Sequence, residues 1–276
     1  MTSYGPGGRI RVAANVYFPA IASPAFVFRK LAYRRRIRRS ARYQPTPPAA
    51  DYVSALRRDG MVIIPDFFDA DTVTAMRKAV PAQADFEESK EGERSFFYRR
   101  AGDVDDLTPF FEHPLLRQTA RAFISAEAVQ LRKEVCLKFV QGDILSFEQF
   151  PHMDTWKLRM KAFLYLEDVT TENGPTVYYQ GSHRGLWRLP MEARISGWYR
   201  TGPQGFSVPE DLYLGCFWPH EVQRLAEAHG YRRTVCTGKA GTLLIFNGRG
   251  LHHATPLHSG RRLTLVSYWI HRDEHT

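Results

Sequence analysis

The sequence predicts a mixed α+β domain, mainly β, whose strands close into a sandwich or barrel with helices packed on one face. Two observations carry this. Helical patterns occupy the chain up to about residue 123, and from Val129 onward at least six segments rich in β-branched and aromatic residues follow, several separated by glycine-containing turns. The chain is also long enough, at 276 residues with 43% hydrophobic and 24% charged side chains, to bury a sizeable core without a disulfide or metal staple.

The elements follow in order. "QPTPPAA" (44–50) is a linker by composition. "DYVSALRRDG" is a short helix stopped by Gly60, and "MVIIPDFF" a strand with a proline near its end. "DADTVTAMRKAV" is a helix with Asp69 or Asp71 as N-cap and Pro81 as stop. A charged, mobile stretch is expected from Asp85 to Asp106, then a helix in "HPLLRQTARAF". "VQLRKEVCLKFV", "ILSFEQF", "LRMKAFLYLE", "PTVYYQG", "GTLLIFN" and "RRLTLVSYWI" are the strands. Residues 184–233 interrupt them with an insertion that contains one helical run, "EVQRLAEAHG", and the aromatics Trp187, Trp198, Tyr199, Tyr213, Phe217 and Trp218, a lid by composition. Residues 1–50 are thus a basic arm with a Pro-rich linker, and 51–276 the folded domain.

Charge is unevenly placed. The net charge is +9, but the first 44 residues hold ten Lys/Arg and no acid, so the remainder is nearly balanced. On a helix, Phe26, Tyr33, Ile37 and Ala41 of the arm share one side among arginines, a pattern that suits a peripheral contact with an anionic membrane. A recognition motif for nucleic acid does not accompany the charge, so such a partner is not expected. Three separated cysteines, Cys136, Cys216 and Cys236, without a CxxC, indicate neither a disulfide framework nor a thiolate zinc site and suit a reducing cytoplasmic setting. The apolar stretch 12–28 is broken by Pro19 and Pro24 and is too short to span a bilayer.

The chemistry is concentrated in "FEQFPHMDTW" (147–156). His152 and Asp154 lie two apart, and on an extended chain such residues point to the same side, where both reach one ion. About one His-x-acid pair is expected by chance, and a second exists, His271-Arg-Asp273. What distinguishes the first is the downstream "GTLLIFNGRGLHHATPLHSGRRLTLVSYW", which supplies histidine, then a hydroxyl residue, then arginines entering a strand. Two histidines and one carboxylate on one face of a metal form the facial triad of non-haem Fe(II) oxygenases. A nearby arginine clamps a dicarboxylate through paired charge-assisted hydrogen bonds.

With these residues the chain resembles the phytanoyl-CoA dioxygenase family of Fe(II)/2-oxoglutarate enzymes. The motifs that carry the likeness are "RRDGMVIIPDFF" (57–68), "HMD" (152–154), "LEDVTTENGPTVYYQGSHRG" (166–185) and "AGTLLIFNGRGLHHATP…GRRLTLVSYW", over residues 51 to 271 in outline. The resemblance implies a double-stranded β-helix (jelly-roll, cupin-like) core with N-terminal helices on one face. It implies Fe(2+), 2-oxoglutarate and O2 as cofactor and cosubstrates. The reaction is then hydroxylation of a small organic or lipid-like substrate with release of succinate and CO2; the alternative is a non-catalytic cupin-like metal-binding or membrane-adaptor protein. Carried over by motif, the metal ligands are His152, Asp154 and His253, with His252 as the rival of His253. Thr255 is the hydroxyl beside 2-oxoglutarate, Arg261 (or Arg262) holds its far carboxylate, and Phe163 is an aromatic near the cosubstrate. His183 of "GSH" is structural in this reading. The presence of Asp154 argues against a halogenase.

Overall fold

The computed structural model describes residues 24–39, 43–88, 94–140, 147–185, 188, 192, 217 and 219–274. Helices α1 (Pro24–Arg39), α2 (Ala49–Arg58) and α3 (Ala70–Ala79) flank β1 (Met61–Ile64). Then come β2 (Glu87–Glu88), β3 (Ser95–Tyr98), α4 (Thr108–Phe111), α5 (Pro114–Phe123), β4 (Ala128–Phe139), β5 (Met160–Tyr165) and β6 (Thr176–Gln180). The last elements are α6 (Pro219–His229), β7 (Arg232–Cys236), β8 (Leu243–Asn247), β9 (His252–Ala254) and β10 (Arg261–His271).

Local chemistry sets the helix ends. Asp69 caps α3 by accepting from the Thr72 N–H at 2.7 Å, and His113 Nδ1 accepts from the Leu115 N–H at the start of α5. Pro65 ends β1 after four residues, because proline cannot donate to the ladder. Three expectations are corrected. The stretch expected to be mobile contains β3, which pairs with β4. "ILSFEQF" is not a strand where it is described, since Phe147–Gln149 is a turn of 3-10 helix. And the expected insertion ends in a strand, β7. Of the expected lid, Phe217 is buried and the other five aromatics lie outside the described residues.

The strands form a double-stranded β-helix of two antiparallel sheets, one of seven strands in the order β1-β8-β5-β10-β4-β3-β2 and one of three in the order β7-β6-β9. The large sheet buries both faces by strict alternation. On one face Val135, Leu137, Ala162, Leu164, Leu243, Ile245, Leu263 and Leu265 pack under the helices, which contribute Val53, Leu56, Val73, Met76, Leu116 and Phe123. The helical residues recur at three- and four-residue intervals, one stripe per helix. The other face, carrying Phe163, Tyr165, Leu244 and Phe246, meets Tyr178 and Cys236 of the small sheet and forms the interior. The outer face of the small sheet, with Val177 and Tyr179, is covered by Val222 of α6 and by Met153, Phe217 and Leu251.

Helix α1 is packed on this domain. Phe26 and Tyr33 are buried against Trp156, with ring centroids 5.5 and 5.4 Å away, and Ile37 joins them. The Tyr33 hydroxyl donates to Glu274 at 3.1 Å and accepts from the Leu158 N–H at 3.0 Å. The face that suited a membrane is therefore already occupied by the protein; Ala41 lies outside the described residues. Among these residues no helix is long and apolar enough to cross a membrane, and Cys136 and Cys236 are free thiols. Trp156→Ala should cost about 3 kcal/mol in denaturant unfolding and speed amide exchange through α1. Unchanged exchange between Phe26 and Ile37 would contradict this packing.

Candidate metal centre

The site is assembled by one backbone pairing. His152 and His252 exchange hydrogen bonds, N–H to C=O, at 2.9 and 3.0 Å, an isolated antiparallel bridge that brings the 150s loop onto β9. Their rings lie 4.4 Å apart. Asp154, two residues on, is held by its own N–H to Gly248 O at 3.0 Å. One ligating atom from each of His152, Asp154 and His252 lies within 4.8 Å of the others.

The protonation pattern follows from the partners. His152 Nδ1 lies 2.8 Å from Phe150 O, and His252 Nδ1 2.9 Å from Gly250 O. A carbonyl only accepts, so each Nδ1 carries the hydrogen and each Nε2 presents a lone pair. These lone pairs face a carboxylate: His152 Nε2 is 3.8 Å from Asp154 Oδ1, and His252 Nε2 is 3.5 Å from Oδ2. His252 Nε2 is buried and has no hydrogen-bond partner. Three acceptors converging in a buried space repel one another unless a cation lies among them. This donor set of two neutral imidazoles and a carboxylate fits a divalent first-row metal with open positions.

Burial, reinforced by the neighbouring His252, lowers the His152 pKa to about 3, so its ring is neutral at physiological pH. Burial pushes Asp154 up, but the Lys161 ammonium, 2.7 Å from Oδ1, outweighs it and holds the carboxyl well below the usual range. Lys161 is itself buried, 4.8 Å over the Tyr268 ring and 5.6 Å over Phe246. Nothing in the sequence had singled it out, although its place two residues before Phe163 on β5 puts it on the interior face.

Two glycines give the histidines and the aspartate their room. A Cβ on Gly248 would lie 2.5 Å from Asp154 Oδ2, and one on Gly250 would overlap the Tyr178 hydroxyl. Ser182 braces the same loop, donating to Tyr179 O and accepting from the Leu251 N–H. His183 accordingly plays a structural part, its Nε2 3.0 Å from Arg57 O.

Of the residues expected at the site, His152 and Asp154 are together and His253 is not. His253 points to the outer face of the small sheet, stacked on Tyr179 at 6.2 Å, because adjacent residues of β9 face opposite ways. Thr255 shares the parity of His253, and its hydroxyl donates to Pro175 O at 3.3 Å rather than entering the interior. Arg261 is half-exposed and forks onto Glu167 at 3.0 and 3.1 Å through Nε. Arg262 is the inward one. It is buried, donates to Gly174 O, and keeps a buried Nε with no hydrogen-bond partner. Phe163 is on the interior face, its ring 5.2 Å from Phe246, which in turn lies 5.0 Å from His252. The second pair, His271 and Asp273, is 3.9 Å apart at the far end of β10.

Gly248→Ala should push Asp154 aside and weaken Co(II) binding, read by titration, by at least about tenfold while leaving the circular dichroism intact. His253, whose pKa burial lowers to about 4 from 6.5, is neutral when folded and protonates below 6.5 when unfolded. It therefore takes stability away as pH falls from 6.5 toward 4, by at most about 1.4 kcal/mol per pH unit. His253→Gln should flatten the pH dependence of the urea midpoint over that window; an unchanged slope would show the ring to be solvated.

The profile of the family described as Phytanoyl-CoA dioxygenase (PhyH) matches residues 56–263. The ectoine dioxygenase of Sphingopyxis alaskensis is 26% identical over 232 residues, covering 75% of this chain and 70% of that protein. That of Bordetella parapertussis is also 26% identical, over 74% of this chain and 69% of its own length. Among solved structures, EctD from S. alaskensis with 2-oxoglutarate and 5-hydroxyectoine superposes with a TM-score of 0.58 at 20% identity, covering 85% of this chain and 80% of that one. The epimerase SnoN, in complex with Fe3+, alpha ketoglutarate and nogalamycin RO, does so with a TM-score of 0.58 at 20% identity, over 80% and 83%. The chain belongs to the phytanoyl-CoA dioxygenase family and is a 2-oxoglutarate-dependent non-haem iron dioxygenase.

Proposed function

We propose that this protein hydroxylates a small organic substrate, with His152 Nε2, Asp154 and His252 Nε2 as the iron ligands and Arg262 as the anchor of 2-oxoglutarate. The observation that carries this is the convergence of three acceptor atoms within 4.8 Å, two of them imidazole nitrogens whose tautomer is fixed from behind. Iron(II) bound there supplies activation of O2, coupled to decarboxylation of 2-oxoglutarate to succinate and CO2.

The chain's own residues do the rest. Phe150 O and Gly250 O hold the two rings in place and make their Nε2 atoms more basic. Lys161 occupies Asp154 Oδ1 and so turns Oδ2 toward His252. Arg262 stands on the same face of β10 as Tyr268, whose ring lies under the Lys161 ammonium. Its buried guanidinium suits a carboxylate better than water, because bidentate charge-assisted hydrogen bonds would satisfy the Nε left without a partner. The rings of Phe163, Phe246 and Tyr178 line the interior beside His252, which favours a partly apolar substrate and keeps water from the oxidising centre.

Adding Fe(II) and then 2-oxoglutarate without oxygen should give a visible metal-to-ligand charge-transfer band. His152→Ala, Asp154→Ala and His252→Ala should abolish it. Arg262→Gln should raise the 2-oxoglutarate concentration required by about 10- to 150-fold, the loss of a hydrogen-bonded ion pair. His253→Gln and Arg261→Ala should leave the band as in the wild type; loss in these two with retention in His252→Ala and Arg262→Gln would reverse the assignment.

A further inference from the structure

Outside the metal centre, cationic side chains gather where α1 meets the domain. A cavity of about 380 Å³ opens there, and five cationic side chains line it: Lys30 and Arg34 from α1, Arg184 and Arg188 after β6, and Arg249 from the loop before β9. Among the described residues one carboxylate answers them. Glu192, fully buried, accepts from Lys30, from Arg188 Nε at 3.3 Å and from Arg249 at 2.7 Å. Arg34 and Arg184 are exposed and form no ion pair among the described residues.

The excess is felt by its members. Burial, together with repulsion from Arg249, lowers the Arg188 pKa to about 10, and burial with repulsion from three arginines lowers His183, on the cavity wall, to about 4. Like charges gathered at one cavity are costly unless an anion joins them. Guanidinium forks match the oxygens of phosphate, and several of them together exceed what one carboxylate ligand requires. The volume is several times that of the anion itself and lies in the range of organic ligand sites. Val27 and Leu31 supply an apolar border, and with Phe28 they are the exposed large hydrophobic residues of α1.

We propose that this cavity is a binding site for a phosphate-bearing ligand, separate from the metal centre, in which the group is held by Arg34, Arg184 and Arg249 and the attached organic part lies along Val27 and Leu31. A soluble metabolite and a lipid headgroup present the same phosphate chemistry, and the apolar border suits either.

Calorimetric titration of the full chain with inorganic phosphate tests the site without any turnover. Saturable binding with a Kd below about 1 mM is expected in the wild type and should weaken at least about tenfold in Arg34→Ala/Arg184→Ala. Both positions are exposed and outside the Glu192 network, so folding is spared. Arg35→Ala/Arg38→Ala, which removes equal charge from α1 away from the cavity, should bind as the wild type does. Co-sedimentation with phosphatidylcholine vesicles, with and without phosphatidic acid, separates the sources. Retention that depends on phosphatidic acid and is lost with Arg34 and Arg184 assigns a headgroup, and phosphate binding without retention assigns a soluble ligand. Absence of phosphate binding, or equal loss in the two double variants, overturns the proposal.

Discussion

The reciprocal hydrogen bonds between His152 and His252 fasten the 150s loop to β9, the edge strand of the small sheet, and the disposition of the site descends from them. Residues paired directly across an antiparallel bridge send their side chains to the same face. His252 therefore turns inward with His152, and the two-residue period of an extended chain adds Asp154 on one side while turning His253 away on the other. A slip of one residue in this pairing would replace His252 by His253 and bury the wrong ring under α6. The bracing of the loop from Asn247 to Leu251 resists such a slip: Tyr178 donates to Asn247 O, Ser182 accepts from Leu251, and Gly250 leaves no space for a side chain against Tyr178.

Electrostatics works with this geometry. Burying a carboxylate beside two lone pairs costs free energy, and Lys161 offsets part of it through a buried ion pair with Asp154. That pair does more for orientation than for stability, since a buried salt bridge is seldom worth more than the apolar packing it displaces. Its ammonium needs the rings of Tyr268 and Phe246 around it, and so one lysine ties β5, β8 and β10 to the position of a single oxygen.

Much of this was legible in the sequence, and the rest was hidden for identifiable reasons. The order of helices and strands follows largely from periodicity, and His152 with Asp154 from their two-residue spacing read together with the histidines and arginines downstream. The choice between His252 and His253 turns on parity, and β9 is three residues long, too short to display an alternation. The choice between Arg261 and Arg262 was within reach: Leu263 and Leu265 belong to the helix-covered face, which sends Arg262 and Thr264 inward. Strand β7 was lost in the insertion because its first residues, Arg232 and Arg233, are exposed at the edge of the small sheet. The face of α1 was recognised as apolar, but its partner was not, because Trp156 lies more than a hundred residues along the chain.

The arm and the metal centre are joined by a short covalent and ionic path. Lys30 of α1 and Arg249 share Glu192, and Arg249 sits between the two glycines that shape the site. On one side of it Gly248 touches Asp154; on the other, Gly250 O fixes the tautomer of His252. Displacing α1 would remove one of the three cations on Glu192 and alter the anchor of Arg249. The backbone that positions two of the three acceptors would then lose a restraint. The basic segment is thus bonded into the domain at the point where the loop carrying His252 is held.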